Sequence, residues 1–553
     1  MNFLKDELIY IPLGGSGEIG MNVNLYHYKS DWLMIDLGIS FGDGEIPGVD
    51  IILPDIRFAE QHKANIKAII LTHAHEDHFG AIPYLWDKLR VPIYGTAFTL
   101  NLLKRKLSDA KIIDDIPLHE IEYNVDYNFG AFTVEFVALT HSIPDPAAVI
   151  LKTNKGNILH TGDWKLDDTP MLGKKTDIDR LQKIGDEGVL ALIGDSTNSL
   201  VPGRTPSEAV AREGITKAIK RAQNTVAITC FASNIARIIS IVAAAKANNR
   251  NVCVVGRSLH RAISAARDTG YLNDLPDFVS EGDVGLMPRK NLVIICTGSQ
   301  GETRAALSKI ATGMHENIKL QSGDTVIFSS RQIPGNENAI AKVQNSFLRQ
   351  KINVVTDYDA PVHVSGHPAR DELVDLYNIV RPKIAIPVHG TVRHLEAHAR
   401  LAETCQISQV LIPENGNVIS FKDYEAKLID NVEVAQFTHE AGSVVDLQSE
   451  MLRSRRQMLW NGSVSVSVLL DQMGTLIQAP TVTQDGVCIN EEEADYLADI
   501  SMMVDTQLEK ANINLLEDDS AIETMVIGKV KSATKTRFRI RPKVHMHVIR
   551  IAG

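Results

Sequence analysis

Three histidines and two acidic residues lie within six positions of the sequence, in the segment LTHAHEDHFG. The apolar run NIKAIIL precedes it and predicts a buried strand. Burying titratable side chains without partners is costly, so the segment must have something that compensates them. Imidazole nitrogens together with carboxylate oxygens suit a metal ion, zinc first and manganese where oxygen ligands dominate.

The segment also predicts how its donors are arranged. Alternate side chains of an extended chain point to one side, so we expect His73, His75 and Asp77 to converge while His78 turns elsewhere. That arrangement favours two adjacent metal ions over one. Further donors stand at the ends of other strand-like runs, namely Asp36 in MIDLG, His141 in LTHSIPD, Asp163 in LHTGDWKLD and His389 in IPVHGT. Each alone is more often a structural residue, but together they predict a metal centre rather than a polar surface loop.

The elements that must position these residues change character along the chain. Up to Thr205, short β-rich runs alternate with few helical stretches, which predicts a sheet whose loops gather at one edge. The segment TPSEAVAREGITKAIKRA then predicts a helix with Ser207 as N-cap and Glu208 in its first turn. Four strand-to-helix units follow, a pattern typical of a parallel doubly wound sheet. Their helix N-termini are natural phosphate sites. After Val355 the β-rich, histidine-bearing pattern returns, so these units are predicted to be an insertion.

Composition narrows the class of protein. A chain of 553 residues is too long for one core, and its 44% hydrophobic content is ordinary for a globular protein. The N-terminal segment has no secretory signal pattern, and no apolar stretch reaches the length of a membrane span. The five cysteines are odd in number and widely spaced, which predicts reduced thiols in a cytoplasmic protein and no cysteine-based zinc site.

The net charge of −11 conceals two basic segments. Between Arg204 and Arg267 there are eleven basic residues against Glu208 and Glu213, and from Ala521 to the end there are eight against Glu523. Local clusters of this kind indicate a surface for a polyanion, although a solvated helix face is an equally good explanation of charge alone.

One motif suggests a different chemistry. Gly15, Gly17 and Gly20 in GGSGEIG match the dinucleotide-binding pattern. The following MNVNLYHY predicts a strand and not the helix whose N-terminus binds pyrophosphate. We therefore expect a tight turn beside the metal site.

Taken together, the motifs identify a family. GGSGEIGMN, LTHAHEDHFGAIPYL, THSIPD, HTGDWKLD, GDSTNS, FASNIAR, VGRS, TGSQGE, IPGNE, HVSGH and PVHG resemble the metallo-β-lactamase superfamily, its β-CASP nucleases and, among these, the ribonuclease J family. The resemblance covers nearly the whole chain. It implies an α/β fold: a metallo-β-lactamase αββα sandwich, an inserted doubly wound β-CASP domain and a small α+β C-terminal domain. The expected boundaries are 1–205 and 359–445 for the sandwich, 206–358 for the β-CASP domain, 446–462 for a linker and 463–553 for the C-terminal domain.

The resemblance also implies roles for the candidate residues. It implies one zinc ion on His73, His75 and His141, a second on Asp77, His78 and His389, Asp163 as the bridge, and Asp36 orienting a ligand histidine. The β-CASP motif residues it implies are Asp195, His367 and His389, and the expected catalytic residues are His75, Asp77, Asp195 and His367. His367 is expected to contact the scissile phosphate. Two departures, Pro146 in place of a usual serine and Thr391 in place of a usual glutamate, affect no expected ligand.

A phosphate pocket is expected beside the metals. The segment HVSGH supplies imidazoles, a hydroxyl and a glycine backbone, and the substrate-binding residues expected there are His363, Val364, Ser365, Gly366 and His367. Ser233 and Asn234 are expected to complete the pocket, although Ser233 is equally well explained as a plain helix N-cap.

The function implied is a two-zinc ribonuclease, with Mn²⁺ or Mg²⁺ as alternative activators, that cuts single-stranded RNA 5′→3′ from a monophosphate end and also endonucleolytically. A homodimer or homotetramer and RNA-degradation or ribosome-associated partners are implied as well, with no membrane partner. The alternatives are another hydrolase of the same fold, acting on DNA or on a small molecule, and an RNA- or ribosome-binding scaffold with a vestigial metal site. The basic insertion disfavours a small neutral substrate, and the intact donor set disfavours the scaffold.

Overall fold

The computed structural model describes residues 6–42, 44, 46–110, 116–333 and 335–551. The chain forms two compact units, one of Met1–Phe41 with Ile51–His439 and one of Gly42–Asp50 with Glu440–Gly553. Over the described ranges, no helix has both the length and the apolar character needed to cross a membrane.

Two mixed β-sheets share one apolar core in the first unit. The first sheet contains, in spatial order, Glu425–Asn431, Asn417–Lys422, Leu8–Gly14, Val23–Tyr28, Asp31–Ile35, Ile66–Ile70, Ile93–Gly95 and Leu118–Glu120. The second contains Asp126–Phe129, Phe132–Ala138, Ala147–Thr153, Gly156–His160, Val189–Asp195, Ile384–Val388 and Gln409–Val410. Fully buried side chains from both sheets, such as Leu33, Ile70, Val149 and Ile386, pack together. Burial of this apolar area is the main stabilising contribution to the sandwich.

Helices cover both sheets. On the first sheet's side the structure has Arg57–Gln61, the 3₁₀ turn Lys63–Asn65, Glu76–Phe79, Ile82–Leu89 and Ala97–Ala110. Ile178–Glu187, Arg370–Val380 and Val392–Thr404 pack on the second sheet, where Leu181, Leu376 and Leu401 join its other apolar face. The predicted αββα sandwich is confirmed.

The insertion is a parallel sheet of five strands. Their spatial order is Asn251–Val255, Leu292–Cys296, Val226–Thr229, Thr325–Phe328 and Asn353–Val355, and all pairings between them are parallel. The helices are Glu208–Arg221, Ile235–Ala247, Arg257–Asp268, Ala306–Ala311 and Glu337–Arg349, with 3₁₀ turns at Glu281–Leu286 and Arg289–Asn291. Ser207 caps the first helix by accepting a hydrogen bond from the Ala209 N–H, as predicted. The doubly wound pattern is confirmed, and Asn353–Val355 is an additional edge strand.

Three short ribbons complete the first unit's strands. Ser16–Gly17 pairs in parallel with Gly390–Thr391, and Ile51–Pro54 pairs with Ser40–Phe41 and with the strand Gln436–Glu440. The first of these ribbons brings the early glycine-rich turn next to His389, whose N–H donates to the Gly15 carbonyl oxygen at 2.6 Å.

The second unit is a small α+β fold. Its sheet has the order Leu476–Asp485, Ser463–Leu470 and Lys543–Arg550, with a further short strand at Ser443–Asp446. Its helices are Glu450–Asn461, Asn490–Glu509, Ile513–Leu516 and Asp519–Phe538. The alternating SVSVSVLL strand buries every second residue, and Val464, Val466 and Val468 form a core with Tyr496 and Val526. The segment predicted as a linker contains the helix Glu450–Asn461, capped by Ser449.

Candidate active site

The candidate ligands all follow strands of the two facing sheets. They stand at the carboxyl ends of Asp31–Ile35 (Asp36), Ile66–Ile70 (His73 to His78), Phe132–Ala138 (His141), Gly156–His160 (Asp163), Val189–Asp195 (Asp195) and Ile384–Val388 (His389). Two of them, Asp36 and His389, have positive φ angles of 64° and 52°, which non-glycine residues adopt at a cost. Backbone strain at both positions is consistent with side chains held for function.

The histidine-rich segment does not stay extended, which corrects the expected arrangement. His75 has an extended backbone, but a helical turn begins at Glu76 and runs to Phe79. The expectation that Asp77 converges with His73 and His75 was therefore wrong: the helical turn places Asp77 in a second group with His78, the residue expected to turn elsewhere. His73 and His75 face one group of donors, and Asp77 and His78 face a second.

The first group consists of His73, His75, His141 and Asp163, whose donor atoms all lie within 4.8 Å of one another. Nδ1 of His75 is 3.0 Å from Nε2 of His73 and 3.1 Å from Nε2 of His141. Oδ2 of Asp163 is 3.8 Å from each of those two Nε2 atoms. Three nitrogens and one carboxylate oxygen thus converge on one point.

Protonation states in this group suit a cation. Burial lowers the pKa of His73 and of His141 well below the usual value, and it lowers the pKa of His75 to about 4. His141 donates from Nδ1 to the carbonyl oxygen of Gly366 at 2.6 Å, so its Nε2 keeps a lone pair for the site. The three imidazoles are neutral at physiological pH, which is the form that binds metals.

The second group consists of Asp77, His78, Asp163 and His389, also within 4.8 Å of one another. Oδ2 of Asp163 is 3.3 Å from Nε2 of His78, and its Oδ1 is 2.8 Å from Nδ1 of His389. Oδ2 of Asp77 is 3.2 Å from Nε2 of His389. Asp163 is therefore common to both groups.

Carboxylates dominate the electrostatics of the second group. Burial opposes charge on His78 and His389, but Asp163 and its neighbours outweigh burial and raise both pKa values well above the usual one. Burial likewise opposes ionisation of Asp77, and His78 and His389 outweigh it, so its pKa is lowered. Such a carboxylate-rich pocket attracts a divalent cation, which binds as the imidazoles release their protons.

The donor sets fit two metal ions. Each group offers buried nitrogen and oxygen atoms in the numbers that zinc sites use, and the groups share one aspartate. The buried Oδ1 of Asp163 makes no hydrogen bond within the described residues, although a nitrogen of His389 lies near it. A buried carboxylate oxygen normally has a partner, and a metal ion bound at this position would be that partner.

Asp36 contacts the site through His78. Its Oδ2 accepts a hydrogen bond from Nδ1 of His78 at 2.7 Å and one from the Thr72 hydroxyl at 2.8 Å, while its Oδ1 accepts from the Thr72 N–H at 2.8 Å. Burial raises the pKa of Asp36, and the contact with His78 opposes that rise. The carboxylate therefore fixes the ring of His78 with its Nε2 toward the second group.

A third group brings Asp195 and His367 to the same place. Asp163, Asp195, His367 and His389 lie within 4.8 Å of one another, and Nδ1 of His367 donates to Oδ2 of Asp195 at 2.8 Å. Burial opposes charge on His367, but Asp195 and Asp163 outweigh it and raise the pKa. A protonated His367 beside the metal groups can donate a hydrogen bond to a phosphate oxygen.

The HVSGH segment is held by a network that the sequence did not reveal. Nδ2 of Asn198 donates to Oγ of Ser365 at 2.9 Å and to the carbonyl oxygen of His367 at 3.0 Å, and the Thr205 hydroxyl donates to the same carbonyl at 2.7 Å. Val364 is buried beneath it. Asn198 lies in the GDSTNS motif, so the motif was visible but the role of this residue was not.

The helix N-cap expected at Ser233 is provided by Asn234. Asn234, and not Ser233, caps the helix Ile235–Ala247 by accepting a hydrogen bond from the Arg237 N–H at 2.9 Å. The reading of Ser233 as a plain N-cap was wrong. Asn234 is 4% exposed and, together with Ser365 and His141, lines a small cavity on the metal side of the segment.

The glycine-rich turn is explained by packing. Gly20 has a φ of 97°, and a Cβ there would lie 3.3 Å from Cβ of Asp77. The strand Val23–Tyr28 follows, and Asn22 donates to the Asp77 carbonyl oxygen at 3.2 Å. The expectation of a tight turn beside the metal site, and not a dinucleotide site, is confirmed.

The basic segment of the insertion is partly used inside the protein. Arg237 is fully buried, and Arg204, Lys217 and Arg261 form ion pairs with Asp375, Glu213 and Asp109. Arg250 donates to backbone carbonyls. The basic residues of this segment with neither an ion pair nor a side-chain hydrogen bond among the described residues are Arg212, Lys220, Arg221, Lys246, Arg257 and Arg267.

Family models match four consecutive parts of the chain. Residues 17–188 match the metallo-beta-lactamase superfamily and residues 223–347 match the beta-CASP domain of ribonuclease J. Residues 352–413 match the RNA specificity domain of Zn-dependent metallo-hydrolases, and residues 450–551 match the ribonuclease J C-terminal domain.

Curated relatives match over most of their length. The chain is 43% identical to a ribonuclease J of Sinorhizobium meliloti, covering 89% of this chain and 88% of that protein. It is 37% identical to a ribonuclease J of Mycolicibacterium smegmatis, covering 98% and 96%. Among solved structures, a protein of unknown function from Enterococcus faecalis aligns with 75% of this chain and 100% of its own at a TM-score of 0.52 and 16% identity, which speaks for the fold alone.

Proposed function

The chain belongs to the ribonuclease J family and is a metal-dependent ribonuclease, and from this premise we propose that it is a two-zinc enzyme that degrades single-stranded RNA 5′→3′ from a 5′-monophosphate end and also cuts internally. One observation carries the proposal. Asp163 takes part in all three donor groups, so the metal ligands and the pair of Asp195 and His367 act on a single substrate position.

The proposed ligands are divided as the donor groups are. His73, His75 and His141 would hold one ion and Asp77, His78 and His389 would hold the other, with the carboxylate of Asp163 available to both. Bound there, the two ions would lower the pKa of a water molecule and offset the charge of the phosphate oxygens. The neutral imidazoles of the first group and the carboxylates of the second match zinc, with Mn²⁺ or Mg²⁺ as alternative activators.

The remaining residues are proposed to orient the RNA. His367, charged through Asp195, donates to a non-bridging oxygen of the scissile phosphate and offsets the negative charge that develops there. Asp195 keeps Nδ1 of His367 protonated and aimed. Ser365 and the backbone around Gly366 receive the terminal phosphate, and Asn198 fixes that segment.

The setting proposed for this activity is the maturation and decay of RNA in the cytoplasm. A homodimer or homotetramer, and association with other RNA-degrading proteins or with ribosomes, are further parts of the proposal. They are supported by the family and not by any contact within this chain.

The decisive test compares RNA and DNA substrates that differ only at their ends. We expect metal-dependent release of mononucleotides from 5′-monophosphorylated RNA, slower cutting of the 5′-triphosphorylated RNA, and no cutting of the DNA. His73→Ala should abolish cleavage and lower the zinc content, whereas His119→Ala, which changes an exposed histidine, should do neither.

Three results would contradict the proposal. Equal cutting of DNA would make the protein a general nuclease of this fold. Absence of cleavage by the metal-loaded wild type would leave a different hydrolase or a binding protein. A His73→Ala protein that retained full activity would remove the metal assignment.

A further inference from the structure

The insertion contains a fully buried arginine that no step of the proposed reaction uses. Arg237, on the helix Ile235–Ala247, has 0% exposure. A guanidinium is almost always charged, so burying it requires a counter-charge and several acceptors. The position of those acceptors indicates what the arginine does.

Its counter-charge comes from the helix that opens the insertion. Nε of Arg237 donates to Oε1 of Glu208 at 2.6 Å and Nη2 donates to Oε2 at 3.0 Å. Both oxygens of the carboxylate are therefore engaged in a paired, planar contact. Glu208 is 6% exposed, so this pair lies inside the protein.

The other side of the guanidinium faces the segment that leads into HVSGH. Nη1 donates to the carbonyl oxygen and the hydroxyl of Ser329 at 2.7 and 2.8 Å, and it lies 3.3 Å from the Val362 carbonyl oxygen. The Ser329 hydroxyl itself donates to the Val362 carbonyl at 2.7 Å. Arg237 thus joins the first helix, the end of the strand Thr325–Phe328 and the chain returning to the sandwich.

The contact between Arg237 and His363 bears on which ring nitrogen of His363 carries the proton. Nη1 of Arg237 lies 3.2 Å from Nδ1 of His363. A guanidinium only donates hydrogen bonds, so the contact favours a neutral ring that accepts at Nδ1 and carries its proton on Nε2, over the tautomer that donates to the Ser329 carbonyl oxygen. Burial lowers the pKa of His363 well below its usual value, and the positive charges of Arg237 and Arg331 lower it further. In the described part of the chain, Nε2 has no hydrogen-bond partner.

Both expected substrate-binding segments are attached to the same residue. The Asn234 side chain accepts a hydrogen bond from the backbone N–H of Arg237. The Arg237 side chain contacts Nδ1 of His363, which lies two residues before Ser365. We propose that Arg237 is a positioning residue that holds His363 as a neutral donor, with Nε2–H available to a phosphate oxygen of the RNA, and fixes its segment relative to Asn234. This inference rests on the proposed function, because it requires HVSGH to contact RNA.

The test removes the buried pair as a unit. Arg237→Gln combined with Glu208→Gln keeps hydrogen-bonding groups and leaves no unpaired buried charge. In the metal-loaded, full-length protein we expect KM for 5′-monophosphorylated RNA to rise about tenfold, with a smaller change in kcat. The pH at which His363 takes up a proton, and with it any pH dependence of KM, should also move upward, because one positive charge that lowers the pKa of His363 is removed.

A matched control uses another arginine–carboxylate pair of the same domain. Arg289 pairs with the buried Asp324 and contacts none of the residues from 361 to 367 among the contacts described. Arg289→Gln with Asp324→Asn should leave KM and its pH dependence as in the wild type. Equal effects of the two double variants would overturn the proposal, because the loss would then reflect stability alone.

Single variants keep the proposal testable if the double variant fails to fold. His363→Gln supplies an N–H near the place of Nε2 and should recover most of the RNA affinity that His363→Ala loses. In ¹⁵N spectra of histidine-labelled protein, the His363 signals, assigned by their absence in His363→Gln, should show protonated Nε2 and unprotonated Nδ1. Protonation on Nδ1 would overturn the inference. A wild type that cuts no RNA would instead refute the proposed function, while the ¹⁵N result would still stand.

Discussion

Asp36 shows how a residue outside the proposed ligand set controls the metal site. It accepts three hydrogen bonds, from His78 and from the backbone and hydroxyl of Thr72, and its own backbone has a positive φ. A carboxylate in this position orients the imidazole and increases its basicity. The sequence identified Asp36 by its place in MIDLG, at the end of a strand-like run, whereas Thr72 was not recognised because a threonine beside a histidine has no distinguishing pattern.

Asp36→Asn should weaken the second metal position. The amide keeps the size but replaces the carboxylate that holds Nδ1 of His78, so we expect zinc affinity or activity to fall by about 10–100-fold. Zinc titration monitored by calorimetry measures this directly. Asp55→Asn is the control, because Asp55 is equally buried but bonds to Arg57 and to the Ala435 N–H. If both variants bound zinc like the wild type, Asp36 would have no role at the metals.

At the scale of elements, the turn around Gly366 joins the substrate segment to a ligand. The Gly366 carbonyl accepts the His141 Nδ1–H, and a Cβ on Gly366 would lie 2.7 Å from the His141 ring and 2.8 Å from Oγ of Ser142. The His141 loop and the HVSGH turn are therefore in direct backbone contact. Any side chain at position 366 must move one of them.

Gly366→Ala should reduce kcat/KM by about 100-fold, because displacing a catalytic group by an ångström has an effect of that size. Steady-state kinetics on 5′-monophosphorylated RNA measure the loss. Gly528→Ala, where a Cβ meets no atom within 4 Å, should leave kcat/KM unchanged. Full activity of Gly366→Ala would show that the His141 ring is not fixed by this turn.

The helix Val392–Thr404 is attached to the second sheet by a buried histidine. Nδ1 of His398 lies 2.8 Å from the Ser196 hydroxyl and its Nε2 lies 2.9 Å from the Tyr377 hydroxyl. Burial lowers the pKa of His398 from 6.5 to about 4. The folded protein therefore binds this proton less readily than the unfolded chain does.

The sign of the pH dependence follows from that difference. The stability contributed by neutral His398 is complete above pH 6.5 and is lost as the pH falls toward 4, by about 3 kcal/mol in total. His398→Gln removes this titration, so the difference between the two unfolding free energies should shrink over the same interval. Urea unfolding at a series of pH values measures it, and parallel pH profiles for both proteins would exclude the effect.

How far the sequence predicts these elements depends on the range of the interaction. Donors at strand ends and the strand–helix rhythm of the insertion are local patterns, and they were predicted correctly. The direction of Asp77 was not, because a helical turn of four residues from Glu76 replaces the extended chain. The contacts of Asn198 and Arg237 join residues more than one hundred positions apart, so no local pattern encodes them.

At the scale of the molecule, a net charge of −11 coexists with a basic insertion, and some basic residues of that insertion form ion pairs or hydrogen bonds within the protein. Six basic residues of the first basic segment have neither an ion pair nor a side-chain hydrogen bond among the described residues. Each phosphate that such a residue neutralises on single-stranded nucleic acid contributes about 0.7 to the dependence of log affinity on log salt. These six residues therefore set an upper bound on the part of the salt dependence of RNA binding that comes from this segment.

Between about 50 and 200 mM salt, we expect this segment to contribute at most about 4 to the slope of log KM against the logarithm of the salt concentration. Lys220→Gln with Arg221→Gln should lower the slope if these helix residues meet RNA, whereas Lys217→Gln, whose ammonium is paired with Glu213, should change it less. Initial-rate measurements at several salt concentrations give the slopes. If neutralising all six basic residues lowered the slope by more than about 4, residues that are paired within the protein would also bind RNA.

The interrupted order of the chain has a consequence for its synthesis. Asp77 and His389, which meet in the second donor group, are 312 positions apart, with the whole insertion between them. At about 5–20 residues per second a ribosome needs roughly 15–60 seconds to translate that distance. During that interval the nascent chain carries the histidine-rich loop without the partner that completes it. The proposed metal centre can thus be completed only after His389 has been translated, because the chain made before that point lacks one of the residues proposed to hold the second ion.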